Sequence, residues 1–220
     1  ILYEIPIAML KLLSCVAIII SVVSGCNGRS VKNQAPLVVS PDELSNHYQS
    51  HINEIWDLVN YTNDALNKYC GIQLIIKDST VSELYVYDFI WMGTKNPVQK
   101  DFDNLLHLIG FTNETIDTIV EKLNAAGCLS IEMMKDSGYI KVLYKADKRC
   151  GYYYRLFREE LSEDDIKEVL DTSPICIPYT NKVMFEYNPY IKNADPTFPG
   201  REEYLQNYSS KSLPNGVVSQ

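Results

Sequence analysis

Residues 129–157 read LSIEMMKDSGYIKVLYKADKRCGYYYRLF, and they contain three segments of strand-forming residues separated by two turns. The first turn, at 135–138, carries Asp, Ser and Gly, and the second, at 148–150, is short and polar. Within 139–146 apolar residues alternate with lysines, which is the period of a half-buried strand. Because loops this short join antiparallel neighbours, the stretch predicts an antiparallel meander of three strands.

The same alternation divides the second strand of the meander into two faces. We expect Ile140, Val142 and Tyr144 to lie under the helices. The opposite face should be the wetter one, and it holds four residues: Tyr139, Lys141, Leu143 and Lys145. If the protein binds a partner through its sheet, the partner is expected on this wetter face.

Tyrosine is the residue type in excess, with 16 in the chain, three of them consecutive at 152–154. Consecutive residues of a strand point to alternate faces, so at least one of these rings should face away from the core. A flat ring with a polar hydroxyl suits contacts with proteins and with sugars. We therefore take Tyr139 and Tyr153 as candidate binding residues, while the choice between Tyr153 and the pair Tyr152 and Tyr154 as the outward set stays open.

A helical pattern begins well before the meander. Ser40 and Glu43 have the spacing of a capping box, and Pro41 occupies the first helical position. Apolar residues at helical spacing follow, and Gly71 provides a stop signal. This segment predicts one long amphipathic helix.

Shorter patterns predict the remaining elements and the fold class. We expect further helices over 101–109, from Thr112 to Gly127 and from Ser162 to about Leu170, and strands over 72–77, 83–92, 175–179 and 182–187. The order is helices first and then βββαββ. It predicts an α+β domain in which the N-terminal helices pack on an antiparallel sheet of about five strands. We expect a single domain over 41–188, followed by a largely irregular segment over 189–220 with several prolines.

The beginning of the chain has the layout of a signal peptide. A short basic segment at 9–11 precedes the apolar run 12–23. A helix that spans a bilayer needs about 20 apolar residues, so this run is too short for one. We expect residues 1–25 to be removed from the mature protein, with Met9 as the true start.

The residues Val23-Ser24-Gly25-Cys26 resemble the lipobox of bacterial lipoproteins, and the resemblance covers residues 9–26. It implies that a diacylglyceryl group is attached to the sulfur of Cys26. It also implies that the chain is cut before Cys26 and that the freed amine is acylated. Two or more acyl chains, each buried methylene contributing roughly 0.8 kcal/mol, hold a protein stably on a membrane.

The residues after Cys26 predict a flexible linker and the membrane to which the protein is sorted. Residues 26–40 are small and polar, which is typical of a flexible linker. By resemblance to the enterobacterial sorting rule, Asn27 in place of Asp implies the outer membrane. Surface-exported lipoproteins of Bacteroidota type carry acidic residues just after the Cys, whereas here the first acid is Asp42. The resemblance therefore implies the periplasmic face of the outer membrane in the cell envelope.

Composition and charge limit the classes of partner. Hydrophobic residues make up 46% of the chain, which is enough for a buried core. The formal net charge of -8 repels a phosphate backbone, so no nucleic-acid partner is expected. No cofactor motif is present. The expected partners are the membrane, through the lipid anchor, and a protein or a glycan.

Histidine and acidic residues on the first predicted helix form the one candidate metal site. His47, His51 and Glu54 would lie on one side of that helix, and zinc uses such side chains. The order of the three residues differs from HExxH, so no metalloprotease mechanism follows. A polar helix flank explains the same pattern.

Four cysteines remain after residue 26, and no two of them form a CxxC pair. A zinc ribbon or a thioredoxin-like motif is therefore excluded. Export permits disulfides, and four cysteines allow three pairings. Their positions at helix ends make Cys70 and Cys128 plausible partners, with buried free thiols as the alternative.

The sequence shows no recognisable pattern of a catalytic nucleophile with its base, and none of a catalytic metal site. We therefore expect a non-enzymatic binding or assembly accessory in the envelope. A hydrolase with a dispersed active site is one alternative. A small inhibitor or immunity-type protein is another, and it rests on fold analogy alone.

Overall fold

The computed structural model of the protein describes residues 37–66, 70–88, 90–95, 99–135, 137–191 and 194–208. The expected signal peptide, Cys26 and most of the expected tether lie outside these residues. Within the described ranges the chain forms six helices and eight strands. None of these helices is both long enough and apolar enough to cross a lipid bilayer.

The elements follow one another in short groups of helices and strands. The helices are α1 (Pro41–Ser50), α2 (Ile52–Ala65), α3 (Gln99–Ile109), α4 (Asn113–Ala125), α5 (Glu163–Thr172) and α6 (Arg201–Tyr208). The strands are β1 (Gly71–Lys77), β2 (Thr80–Asp88), β3 (Ile90–Lys95), β4 (Ser130–Met134), β5 (Tyr139–Ala146), β6 (Cys150–Phe157), β7 (Cys176–Thr180) and β8 (Val183–Pro189).

All eight strands form one antiparallel sheet in the order β3-β2-β1-β4-β5-β6-β8-β7. The structure thus combines helices with an antiparallel sheet, as the sequence predicts. The predicted number of about five strands is wrong. The segment predicted as a single strand over 83–92 belongs to a hairpin of β2 and β3, and β1 joins this hairpin to the meander by pairing with β4.

The predicted meander is confirmed, and its inner face packs under the helices. β4, β5 and β6 are consecutive neighbours, and Ile140 and Val142 have exposed fractions of 1% and 0%. They share one apolar core with Ile55 of α2 and Ile119 of α4. At about 25 cal/mol for each Å² of apolar surface removed from water, this continuous core is the main stabilising contribution to the fold.

A β-bulge in β5 changes the predicted facing of Lys145. Leu143 pairs with Tyr153, but Lys145, two residues on, pairs with Tyr152, so Tyr144 is an extra residue on β5. Beyond the bulge Lys145 therefore lies on the helix side, where its Nζ donates to Glu43 of α1. The placement of Lys145 on the wetter face is wrong for this reason.

The predicted helix starts at Ser40, Thr112 and Ser162 are confirmed by their caps, although the carboxylate of Glu43 accepts from Tyr144 and Lys145 instead of completing a capping box with Ser40. The amide of Glu43 donates to Oγ of Ser40 at 3.1 Å, and Thr112 and Ser162 cap α4 and α5 through reciprocal capping boxes. The predicted long first helix is divided at His51, whose backbone (φ -129°, ψ 22°) leaves the helical region. The ring of His51 bonds to a main-chain carbonyl of the preceding turn, and such local bonds compete with continued helix.

Helices lie on both faces of the sheet, whereas the sequence predicted helices on one face. α5 packs on the second face at the β7–β8 end. Its Ile166 joins a small separate apolar cluster with Phe157, Cys176 and Met184. This helix leaves the β2–β1–β4–β5 part of the second face uncovered within the described chain.

The segment after residue 189, expected to be largely irregular, contains α6. Phe198 precedes this helix and is 1% exposed in the core. Arg201 donates from Nε to the carbonyl of Cys176 at 3.3 Å, and the hydroxyl of Tyr204 donates to the carbonyl of Pro178 at 2.8 Å. The C-terminal segment therefore covers the outer edge of β7.

Candidate functional site on the open face of the sheet

The uncovered part of the second face, here called the open face, is built by register. Paired residues of neighbouring antiparallel strands point to the same side. Gln73 pairs with Tyr85 and with Glu132, and Lys141 pairs with Glu132 and with Arg155. A second row of side chains runs beside this one. The open face consists of Gln73, Tyr85, Tyr87, Glu132, Met134, Tyr139, Lys141 and Arg155, each of which keeps solvent exposure.

A buried carboxylate holds the two cations of the open face. Glu186 is fully buried, and it accepts hydrogen bonds from Lys141 Nζ at 2.8 Å and from Arg155 Nε at 2.7 Å. Burial alone would raise the pKa of Glu186, but the charges and hydrogen bonds of Lys141 and Arg155 outweigh burial and lower it. Glu186 therefore holds the side chains of Lys141 and Arg155 in place from the buried side. These two side chains are 18% and 14% exposed.

Tyr139 is the most exposed aromatic residue of the open face, at 36%. Its ring lies 4.6 Å from the guanidinium carbon of Arg155 and 5.9 Å from Nζ of Lys141. A ring stacked on a guanidinium that is itself held by Glu186 loses little further freedom when a partner binds. The predicted candidate Tyr139 thus lies on the solvent side of the site.

Glu132 lies in the middle of the central row. Burial raises its pKa, and Glu186 acts in the same direction, while Lys141 and Arg155 act in the opposite one. Its carboxylate accepts a long hydrogen bond of 3.4 Å from Nε2 of Gln73. The centre of the open face therefore carries a carboxyl group close to its two cations, and the row has no strong excess of either charge.

At the β2 end the face is aromatic. The ring of Tyr85 lies over Gly93 of β3, where an added Cβ would come within 1.9 Å of the ring. The Tyr85 hydroxyl donates to Glu83 at 3.0 Å. Glycine at position 93 is therefore needed for this ring to lie flat along the sheet.

Tyr153, the other predicted binding residue, faces the same side but is covered. Its hydroxyl bonds to that of Tyr190 at 2.8 Å, and Tyr190 approaches so closely that a Cβ on Gly151 would lie 2.2 Å from its oxygen. Tyr152 and Tyr154 are 0% exposed on the helix side. Of the three consecutive tyrosines, Tyr153 is therefore the one that points away from the helices. Because Tyr190 covers it, its ring lies at the border of the open face and offers little surface to a partner.

Sequence reasoning missed most of the open face, namely Gln73, Tyr85, Tyr87, Glu132, Met134 and Arg155. Two of these, Glu132 and Arg155, could have been found from the meander alone, because each is opposite Lys141 in the register that short turns impose. The residues on β1 and β2 come from a long-range pairing that no local signal indicates.

The candidate metal residues do not form a metal site. His47 and His51 stack with ring centroids 4.4 Å apart, and Nδ1 of His47 bonds to the hydroxyl of Tyr154 at 2.8 Å. Glu54 is exposed on α2, beyond the break at His51. Across the described residues no group of three His, Cys, Asp or Glu side chains could hold a metal ion.

The histidine pair borders a shallow cleft of about 510 Å³ between α1 and Tyr144. Burial, aided by the nearby charges of His51 and Lys145, lowers the pKa of His47 to about 4, against an opposing effect of Glu43. His47 is therefore a neutral ring near pH 7, hydrogen-bonded into the helix–sheet interface. Its role in the structure is to join α1 to β6.

The possible disulfide between Cys70 and Cys128 does not form, and the alternative of buried thiols describes both residues. β1 and β4 are antiparallel, and the amide of Lys135, which follows β4, donates to the carbonyl of Cys70. Cys128 precedes the other end of β4, so at about 3.3 Å for each residue the Cα atoms of the two cysteines lie roughly 20 Å apart. The helix-end argument failed because it ignored the direction in which the two strands pair.

Comparison of the chain with models of known protein families, with curated proteins and with solved structures finds no match.

Proposed function

We propose that the protein is a lipid-anchored accessory of the bacterial envelope that binds a partner protein through the open face of its sheet. The anchor rests on the lipobox-like residues Val23, Ser24, Gly25 and Cys26. They tether the domain on the periplasmic side of the outer membrane. The membrane is therefore one partner, through the acyl chains, and the open face serves the other.

One observation supports the binding role: within the described chain the helices leave the β2–β1–β4–β5 part of the second face uncovered, and this part carries aromatic, Met and Arg side chains. Tyr, Met and Arg are enriched at protein interfaces, and Tyr and Arg dominate their binding energy. The open face supplies Tyr85, Tyr87, Tyr139, Met134 and Arg155.

The buried Glu186 adds preorganisation to this surface. An arginine whose position is already fixed loses little side-chain entropy when it is covered by a partner. The charges of Lys141 and Arg155 are balanced by Glu132 on the open face and by the buried Glu186, so the partner is not selected by a large net charge. Shape and aromatic contacts should therefore determine specificity, which favours a protein over an anionic polymer.

Site-specific photocrosslinking in the producing cell tests this function. A photoreactive amino acid replaces Tyr139, and a matched control replaces Asn53, which is exposed on α2 on the opposite side of the sheet. We expect a discrete protein adduct from position 139 and none of comparable yield from 53. Adducts to glycan alone, or equal yields from the two positions, would show that the open face is not a protein-binding surface.

The anchor is tested separately. Replacing Cys26 with Ser should abolish incorporation of labelled fatty acid, and replacing Cys15, inside the apolar run, with Ser should leave it intact. Normal acylation of the Cys26→Ser chain would contradict the lipoprotein assignment without affecting the crosslinking result.

A further inference from the structure

The two outer edges of the sheet are treated differently by the fold. At one edge, the carbonyls of Cys176 and Pro178 on β7 accept hydrogen bonds from Arg201 and Tyr204. Pro178 also lacks an amide that another strand could use. Natural proteins protect sheet edges with such devices because an open edge pairs with other chains. The β7 edge is therefore closed.

The other edge, β3, has no comparable side-chain cover over residues 92–94 in the described part of the chain, and Lys95 at its end is its one charged residue. β3 pairs with β2 along its whole length, from Ile90 opposite Asp88 to Lys95 opposite Glu83, and it is the last strand of the sheet on that side. Its sequence, IWMGTK, contains no proline and three large apolar residues. An extended edge of six residues presents a row of amide and carbonyl groups that is a template for pairing with another extended strand.

The sequence of β3 is complementary to itself. Two copies of β3 can pair antiparallel about a two-fold axis perpendicular to the sheet. Directly opposite residues then point to the same face, and odd-numbered residues pair with odd-numbered ones. Centring this pair on Gly93 places Trp91 opposite Lys95 and Met92 opposite Thr94. No like charges then face each other, and the central glycines leave room for the flat rings of both Tyr85 side chains.

We infer that β3 pairs antiparallel with β3 of a second copy of this chain, joining the two eight-stranded sheets into one. The two open faces then lie side by side on the same surface, with the covered β7 edges at the far ends. The dimer edge and the open face are separate surfaces, so either can fail without the other.

Distances between spin labels on two copies test the pairing in the full chain. A nitroxide on Lys95→Cys should report a second label, because in the register centred on Gly93 the two Cα atoms lie roughly 15 Å apart. A label on Lys182→Cys, in the turn between β7 and β8, is the matched control. Seven further strands separate it from the dyad in each copy, so the control labels should be more than roughly 60 Å apart.

Two proline variants make the test specific to the edge. Amides an odd number of residues apart in a strand point to opposite edges, so one of Trp91→Pro and Thr94→Pro removes an outward amide and the other removes a bond to β2. Each is compared with alanine at the same position, which removes the side chain and keeps the amide. The variant that keeps the melting temperature of the labelled monomer should lose the Lys95 distance. Absence of a short distance at position 95 in the unsubstituted strand, or its persistence in both proline variants, would overturn the inference.

Discussion

At Glu186 a single buried carboxylate determines the position of two residues of the open face. Both of its oxygens are used, one by Lys141 and the other by Arg155. Removing one partner from such a group leaves uncompensated charge in a poorly solvated place, which costs far more than the intact group contributes. The arrangement therefore makes Glu186 a positioning residue for the side chains of the open face.

We expect Glu186→Gln to lower the free energy of unfolding by about 3 kcal/mol, because Lys141 and Arg155 lose their counter-charge. Urea denaturation followed by circular dichroism measures the change. Asp171→Asn is the control, since it removes an exposed ion pair with Lys167 and should leave stability nearly unchanged. A loss from Glu186→Gln no larger than that of the control would show that the buried charges are not coupled.

His47 gives the protein a pH-dependent stability. Its pKa is about 4 in the folded protein, against roughly 6.5 in the unfolded chain. Between these values the unfolded chain binds a proton that the folded protein does not, so stability is full above about pH 6.5 and falls as the pH drops toward 4. For a half-buried ring we expect a loss of about 1–2 kcal/mol.

Unfolding curves between pH 7 and pH 4 test this expectation. His47→Gln should flatten the dependence in that window, whereas His107→Gln, at an exposed position of α3, should not. An unchanged slope in the His47 variant would assign the acid sensitivity to other groups.

At the scale of single elements, the hairpins and helix starts were predictable and the long-range pairings were not. The meander follows from two short turns and a period of two, and the caps at Ser40, Thr112 and Ser162 are local patterns. The β1–β4 pair joins segments about sixty residues apart, and nothing in either segment specifies the other. The β-bulge that turns Lys145 toward Glu43 was also unpredictable, because the alternation of apolar residues and lysines in β5 gives no sign of an extra residue.

The closed β7 edge makes a prediction about α6. Arg201→Ala removes hydrogen bonds to the carbonyls of Cys176 and Leu170, and we expect a loss of about 2 kcal/mol because hydrogen bonds from charged donors are lost. Glu203→Ala, exposed on the same helix, is the matched control and should have little effect on stability. Denaturant unfolding compares the two. Equal stability of both variants would mean that α6 does not hold the edge.

For the whole molecule, the sequence predicted a mixed fold and the existence of a wetter sheet face, and the structure adds what that face contains. Tyr139 was predictable from alternation, but Tyr85 and Gln73 reach the same surface only through the order of strands. The function proposed here depends on that assembled surface. No short motif encodes it.

We propose above all that a protein partner in the envelope covers the open face. Tyrosine modification in intact envelopes, compared with the purified chain and read by mass spectrometry, tests it most directly. The account predicts that Tyr139 and Tyr85 react in the purified chain and are protected in the envelope, while Tyr61, half-exposed on α2, reacts equally in both. Equal reactivity of Tyr139 in the two settings, or protection of Tyr61 alone, would contradict it.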